Sequence, residues 1–194
     1  MTMSEDRRIL RTQKKLKEAL LALLQEKALH ELSVTQVTQR AECNRVTFYS
    51  HFTDLNALLS AIVADYLQEL QADFRKSFEN RERFASTDVE RHLPIFEFLY
   101  RNQFLSALII RGEVLLGSQN QFCESLVEIS ANELRLEESS TIEIPALNYF
   151  MVYGSLGFFI HWVKEDFRES PRAMAEKLAE LHGRMYGGAV VIEE

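Results

Sequence analysis

The sequence predicts an all-α fold, and three observations carry that prediction. Apolar residues recur at helical spacing over most of the chain. The 194 residues include only 7 Gly and 3 Pro, too few for turn-dense β structure. No segment reads convincingly as a strand, and no repeat or low-complexity tract interrupts the pattern. The expected organisation is a small N-terminal helical head over residues 1–54 and a larger helical body over 55–194.

Each element has a local reason. Over residues 8–27, Ile9, Leu16, Leu20, Leu23 and Leu24 share a helical face among Ala, Lys and Glu, all good helix formers. Leu29 and Leu32 lead into a break. Ser33 is a natural N-cap for a helix over 34–41, with Val34, Val37 and Ala41 inward. Asn44 caps a short helix over 45–51, with Val46, Phe48 and Phe52 expected inward. Thr53 or Asp54 then opens a helix to about residue 78, about 35 Å long and so able to connect two domains.

In the body, residues 80–87 are a polar loop. Residues 92–111 read as one helix, with Pro94 in its first turn. Gly112, Gly117, Ser118 and Asn120 break the pattern before a helix over 122–136. After a polar break at 137–143, Pro145 opens a helix to about 165. Ser170 and Pro171 open the last helix, and Gly187 and Gly188 end it. The expected total is eight or nine helices.

Charge is distributed unevenly. Residues 1–53 hold nine Lys/Arg and six Asp/Glu, a net of +3; residues 54–194 hold thirteen and twenty-three, a net of −10. The sum of −7 argues against nonspecific nucleic-acid binding, while the asymmetry points the head at a polyanion. Cys43 and Cys123 have no metal-ligand spacing, which fits a reducing, cytoplasmic setting without disulfides or a bound metal. The first residues carry no apolar run of a signal peptide. Residues 146–163 contain no Asp, Glu, Lys or Arg, yet they are short for a membrane span and include Asn148, Ser155 and His161. A buried helix is expected there, covered by its own domain and by a second subunit.

Chemistry concentrates in the head. Two short helices joined by a tight turn form a helix-turn-helix, the second bearing Arg45, Thr47, Tyr49 and His51, side chains that hydrogen-bond phosphates and base edges. A basic run, Arg7, Arg8, Arg11, Lys14, Lys15 and Lys17, precedes it. Candidate contacts to double-stranded DNA are therefore Arg11, Lys14, Thr35, Gln36, Asn44, Arg45, Val46, Thr47, Tyr49 and His51. Arg45 can reach a phosphate or a guanine edge, and Val46 can press a thymine methyl or pack inward. Nothing resembles a nucleophile elbow, a zinc-protease helix or a phosphate loop, so no catalytic residue and no cofactor is expected.

Residues 7–67 resemble the DNA-binding domain of TetR-type transcriptional regulators. RVTFYSHF at 45–52 is the strongest match: the family has Arg-Gly-Thr-aromatic-Tyr-x-His-Phe, and only Val46 departs. IFEFLYRNQFLSALI and YFMVYGSLGFFIHWVKEDFRESPRAM are similar to a subgroup common in Gram-positive bacteria. The resemblance implies a homodimer, a roughly palindromic operator, a C-terminal small-molecule effector pocket, and phosphate contacts for Tyr49 and His51. Two further departures bear on DNA affinity. Glu42 replaces the usual turn Gly, so the turn must do without a residue that adopts positive φ freely. Leu55 replaces a usual Lys. Cys43 sits where the family often has Val and reads as a small core residue; a redox sensor is the alternative.

Aromatic residues crowd the body. With a few polar neighbours they give candidate effector contacts: Phe96, Tyr100, Phe104, Arg111, Asn148, Tyr149, Tyr153, His161 and Trp162. Each aromatic is individually more often core than pocket. Gly154 and Gly157, with Phe158, Leu178, Leu181 and Met185, suggest a four-helix dimer interface. The leading expectation is a homodimeric repressor modulated by a small molecule. The other is a protein of the same fold acting as co-activator or adaptor through a protein partner.

Overall fold

The computed structural model describes residues 3–76, 85, 87–112, 115–133 and 144–186. Nine α-helices and no strand are found among the described residues: α1 Met3–Leu24, α2 Val34–Arg40, α3 Arg45–Tyr49, α4 Leu55–Lys76, α5 Val89–Arg101, α6 Gln103–Arg111, α7 Ser118–Glu133, α8 Ile144–Lys164 and α9 Pro171–Tyr186. A single 3₁₀ turn, Leu29–Glu31, follows α1. The expected polar breaks fall largely outside the described residues, as does the Gly187–Gly188 stop. The chain divides into two compact units, Met1–Asp65 and Tyr66–Glu194, and the division falls inside α4.

In the first unit α1 packs on α2 and α2 on α3. Leu16, Leu20, Val37, Phe48, Leu58 and Leu59 are fully buried. Ion pairs fasten the helices: Lys17 Nζ lies 2.6 Å from Asp65, and Arg40 lies 2.7 Å from Glu26.

In the second unit α5 lies along α9, while α6, α7 and α8 pack together. The helix expected over 92–111 is two helices. It begins earlier because Asp88 caps it, accepting the Glu90 N–H at 3.0 Å. It breaks at Asn102, whose backbone leaves the helical region and whose side chain donates to the Phe98 carbonyl at 3.1 Å. Pro94 thus sits in the second turn of α5 rather than the first. Tyr66 and Ser106 share a buried hydrogen bond of 2.7 Å that joins α4 to α6.

Asp73 on α4 accepts from Lys76 at 2.7 Å and pairs with Arg101 at the end of α5. Burial pushes its carboxyl up, but the two cations more than offset this and hold it below the ordinary 3.8. A depressed folded-state pKa stabilises above the unfolded value, and the contribution fades as pH falls below it. Both cations are more than half exposed, so screening limits the pair to about 1 kcal/mol. Asp73→Asn is expected to lose that amount at pH 7 in urea unfolding. The gap to the parent should narrow below pH 3.8; a gap independent of pH would refute the ionic account.

Candidate nucleic-acid interface and effector cavity

The helix-turn-helix is built from its caps. Ser33 and Gln36 form a capping box: the Ser33 N–H donates to Gln36 Oε1 at 2.8 Å, and the Gln36 N–H to Ser33 Oγ at 3.3 Å. Asn44 Oδ1 accepts the Thr47 N–H at 2.7 Å and the Thr47 hydroxyl at 3.0 Å. The side chains of Gln36 and Thr47 are therefore committed to holding α2 and α3. Phe48 is the buried anchor of α3, with Tyr49 set edge-on to it at 5.4 Å. Val46 does not pack inward: it is 78% exposed, because it lies opposite Phe48 on the short helix. Thr35, Arg45, Val46 and Tyr49 consequently share the solvent side of α2 and α3, with the Arg45 guanidinium 5.9 Å from the centre of the Tyr49 ring. His51 is half-buried beside Phe52.

The basic run on α1 divides by partner. Lys14 pairs with Glu18 at 3.8 Å, Lys15 with Glu42 at 3.7 Å, and Lys17 with Asp65. Arg7, Arg8 and Arg11 are exposed and have no ion-pair partner among the described residues. Within the basic run on α1, the arginines rather than the lysines have no ion-pair partner among the described residues.

The turn carries its own cost. Glu42 adopts the left-handed backbone itself, at φ 54°, so the turn keeps positive φ without a glycine. Its N–H donates to the Gln39 carbonyl at 3.2 Å, and the Cys43 N–H to the Thr38 carbonyl at 3.0 Å. A left-handed non-glycine residue costs roughly 1–2 kcal/mol. Glu42→Gly removes this strain but adds unfolded-state entropy of roughly 0.5–1 kcal/mol, so net stability should rise by no more than about 1 kcal/mol. DNA affinity should rise in both Glu42→Gly and Glu42→Gln, since each removes an exposed negative charge and releases Lys15. If neither variant binds DNA more tightly, Glu42 does not face the phosphates. Cys43 is half-buried, and burial, only partly offset by Lys15, pushes its thiol up. That protonation state disfavours a reactive thiolate.

In the body, the aromatic effector candidates form a packed cluster. The Phe96 ring lies 5.3 Å from both Phe159 and Trp162, and 6.1 Å from Phe158. Trp162 lies 4.9 Å from Phe167, stacks on Tyr100 at 6.2 Å, and donates its indole N–H to the Glu169 carbonyl at 3.1 Å. Phe104 is half-buried on α6, and Arg111 donates to the Val163 carbonyl at 3.2 Å. Tyr149 and Tyr153 are partly exposed and their hydroxyls donate to Glu124 at 3.0 Å and to Asn120 at 2.5 Å on α7, while His161 is exposed.

A cavity of about 60 Å³ lies elsewhere in the unit, between α4, α5, α7, α8 and α9. Of the effector candidates from the sequence, Asn148 alone lines it. Its other polar liners are Arg91, His92, Ser130, Ser155 and His182, none of which was an effector candidate in the sequence. His92 and His182 meet edge to face at 5.0 Å, and His182 Nε2 lies 3.3 Å from Ser155 Oγ. Burial, assisted by the Arg91 charge, pushes His182 down to about 4, so its ring is neutral at pH 7. Only their meeting across four helices, α5, α7, α8 and α9, marks these residues, and no sequence spacing displays that.

The proposed interface residues divide as well. Gly154 and Gly157 are exposed, and a Cβ added at either would meet nothing within 4 Å. Tyr149, Phe150 and Tyr153 continue that outward face, and Leu181 is exposed on α9. Phe158 is half-buried against Phe96, while Leu178 is 2% exposed and lines the cavity. The Met185 side chain lies outside the described residues. The expected all-round burial of α8 is therefore not met within one chain. Among the described residues, no helix is long and apolar enough to cross a membrane.

Residues 91–182 match the TetR_C_8 family model, a transcriptional regulator C-terminal region. That match identifies the C-terminal region, 92 of the 194 residues, with TetR-type transcriptional regulators. TetR-type architecture recurs in a putative regulator of that family from Syntrophomonas wolfei, with a TM-score of 0.67 at 17% identity over 90% of this chain and 94% of that one. In sequence, this chain is 20% identical over 167 residues to the uncharacterized HTH-type transcriptional regulator YxbF of Bacillus subtilis, covering 85% of its own length. It is 39% identical over 62 residues, 32% of its length, to DhaS of Lactococcus lactis, an HTH-type transcriptional activator of the dhaKLM operon. The matches span only 43% and 33% of those two relatives.

Proposed function

We propose that this chain is a homodimeric DNA-binding regulator, acting as a repressor whose operator affinity is modulated by a small-molecule effector. The observation that carries the reading is the solvent face of the head. Arg45, Val46 and Tyr49 stand on a capped, anchored α3, and the uncommitted Arg7, Arg8 and Arg11 lie on α1. This is the set needed to hold phosphates and read a major-groove edge. The outward face of α8, with Gly154, Gly157 and exposed aromatics, supports the dimer. The cavity supports the effector, and Phe74 on α4 lines it. Because α4 begins in the first unit, it is the element through which a bound molecule would act.

Two heads related by a two-fold axis would read half-sites about one helical turn apart. Selection from a random duplex library at moderate salt, followed by sequencing, tests this. A palindromic motif with half-sites about ten base pairs apart is expected; no enrichment by a folded dimer overturns DNA recognition. The adaptor reading draws on the exposed Glu42 and on the activator DhaS. It predicts little DNA affinity at any salt, whereas a regulator's affinity falls steeply as salt rises.

A further inference from the structure

We propose that the cavity is the effector site and takes an uncharged compound with an amide edge, a primary carboxamide or a lactam. The edge pairs with the Asn148 side chain, and an aliphatic body lies against Ile95, Leu126 and Phe159. The assignment rests on the ligand-responsive reading above and adds the chemistry of the ligand.

Asn148 on α8 gives the first argument. It is 7% exposed and lines the cavity, and its Nδ2 has no hydrogen-bond partner among the described residues. A buried amide left without partners is costly. A carboxamide presents an N–H donor and a carbonyl acceptor side by side. A ligand amide with the same pair in reverse order meets both, whichever way the Asn148 side chain is turned.

Ser130 on α7 gives the second. It is 6% exposed and lines the same cavity, and its hydroxyl makes no hydrogen bond to a described residue. A hydroxyl both donates and accepts, so it complements the second N–H or the second carbonyl lone pair of an amide. Two neutral polar side chains from different helices thus lack partners in one lining that is otherwise mostly apolar. Few polar groups on an apolar wall suit a ligand with one polar end.

Charge gives the third. Among the described residues no Asp or Glu lines the cavity, so a ligand cation finds no counter-charge. Burial keeps the His182 ring neutral at pH 7. Arg91 already interacts within the protein, and the Asp88 charge acts on it. It is therefore not a vacant seat for a ligand carboxylate. The cavity is half-open, so its volume sets no limit on the carbon body, and the amide end alone carries the selectivity.

The test is calorimetric titration of the full chain with hexanamide and ε-caprolactam, and with hexanoate as the charged analogue. At least one amide should bind, and hexanamide should bind at least about tenfold tighter than hexanoate, whose charge must be stripped of water without a new partner. Asn148→Ala should weaken hexanamide at least about tenfold, since the ligand amide then enters an apolar wall unpaired. The assignment is overturned if neither amide binds, if hexanoate matches hexanamide, or if a folded Asn148→Ala variant binds hexanamide as tightly as the parent. Should that variant not fold, the amide–acid comparison on the parent decides alone. Operator binding is measured on the same preparation. Protein that binds operator but no amide overturns the amide assignment alone, whereas protein that binds neither overturns the regulator reading too. Amide binding that leaves operator affinity unchanged overturns the effector role.

Discussion

Trp162→Ala is expected to destabilise the second unit by about 3–5 kcal/mol, the range for removing a large buried aromatic. Three interactions set the size of the effect. The ring is fully buried against Phe96 and Phe167. Its N–H bond to Glu169 fastens the segment after α8. That segment is also where the chain turns sharply. Asp166 and Phe167 both adopt left-handed backbone, at φ 49° and 54°, without a glycine. The Phe167 N–H donates to the Trp162 carbonyl at 3.1 Å, and the buried Phe167 ring keeps the turn in place. Loss of Trp162 removes the wall against which that ring packs. For a chain of this size each kcal/mol lowers the melting temperature by about 2–4 °C, so a fall of about 6–20 °C is expected by circular dichroism. A fall of only a degree or two would mean that the cluster is loosely packed and can accommodate a ligand after all.

Arg45→Ala is expected to weaken binding to the selected operator by about 5- to 150-fold, equivalent to about 1–3 kcal/mol for a bidentate base contact. Val46→Ala should have a smaller effect, confined to one thymine position. Arg11→Ala should instead weaken binding uniformly across sequences and reduce the salt slope by about one unit. Fluorescence anisotropy on operator and scrambled duplexes separates these behaviours. If Arg45→Ala weakens both duplexes equally, Arg45 is a phosphate contact and sequence is read elsewhere.

Local chemistry made the head legible in advance. Ser33 and Asn44 cap the helices they were expected to cap, because a polar side chain next to an apolar periodic run leaves few alternatives. Val46 was less legible: a five-residue helix has too few positions to define an inward stripe, and Phe48 alone occupies the core. The basic run was visible as composition, but which cations are spent on Glu18, Glu42 and Asp65 is a tertiary fact. In the body, aromatic density was a poor guide to empty space. Large rings fill volume well, so Phe96 and Trp162 close the interior, and the cavity opens where smaller polar residues, Ser130, Asn148 and Ser155, meet across helices. Those positions come together only when α5, α7, α8 and α9 are assembled.

Under the dimer proposal, the outward face of α8 would link gene control to protein abundance. If a second copy covers Gly154, Gly157 and the neighbouring aromatics, the dimeric form predominates only above its dissociation constant. Below that concentration the dimer population scales with the square of the amount synthesised. Halving the amount of protein would then cut operator occupancy about fourfold in the dilute limit. A substitution such as Gly157→Leu, in a different unit from α3, would then alter transcription by changing how many copies the cell must make before the switch responds.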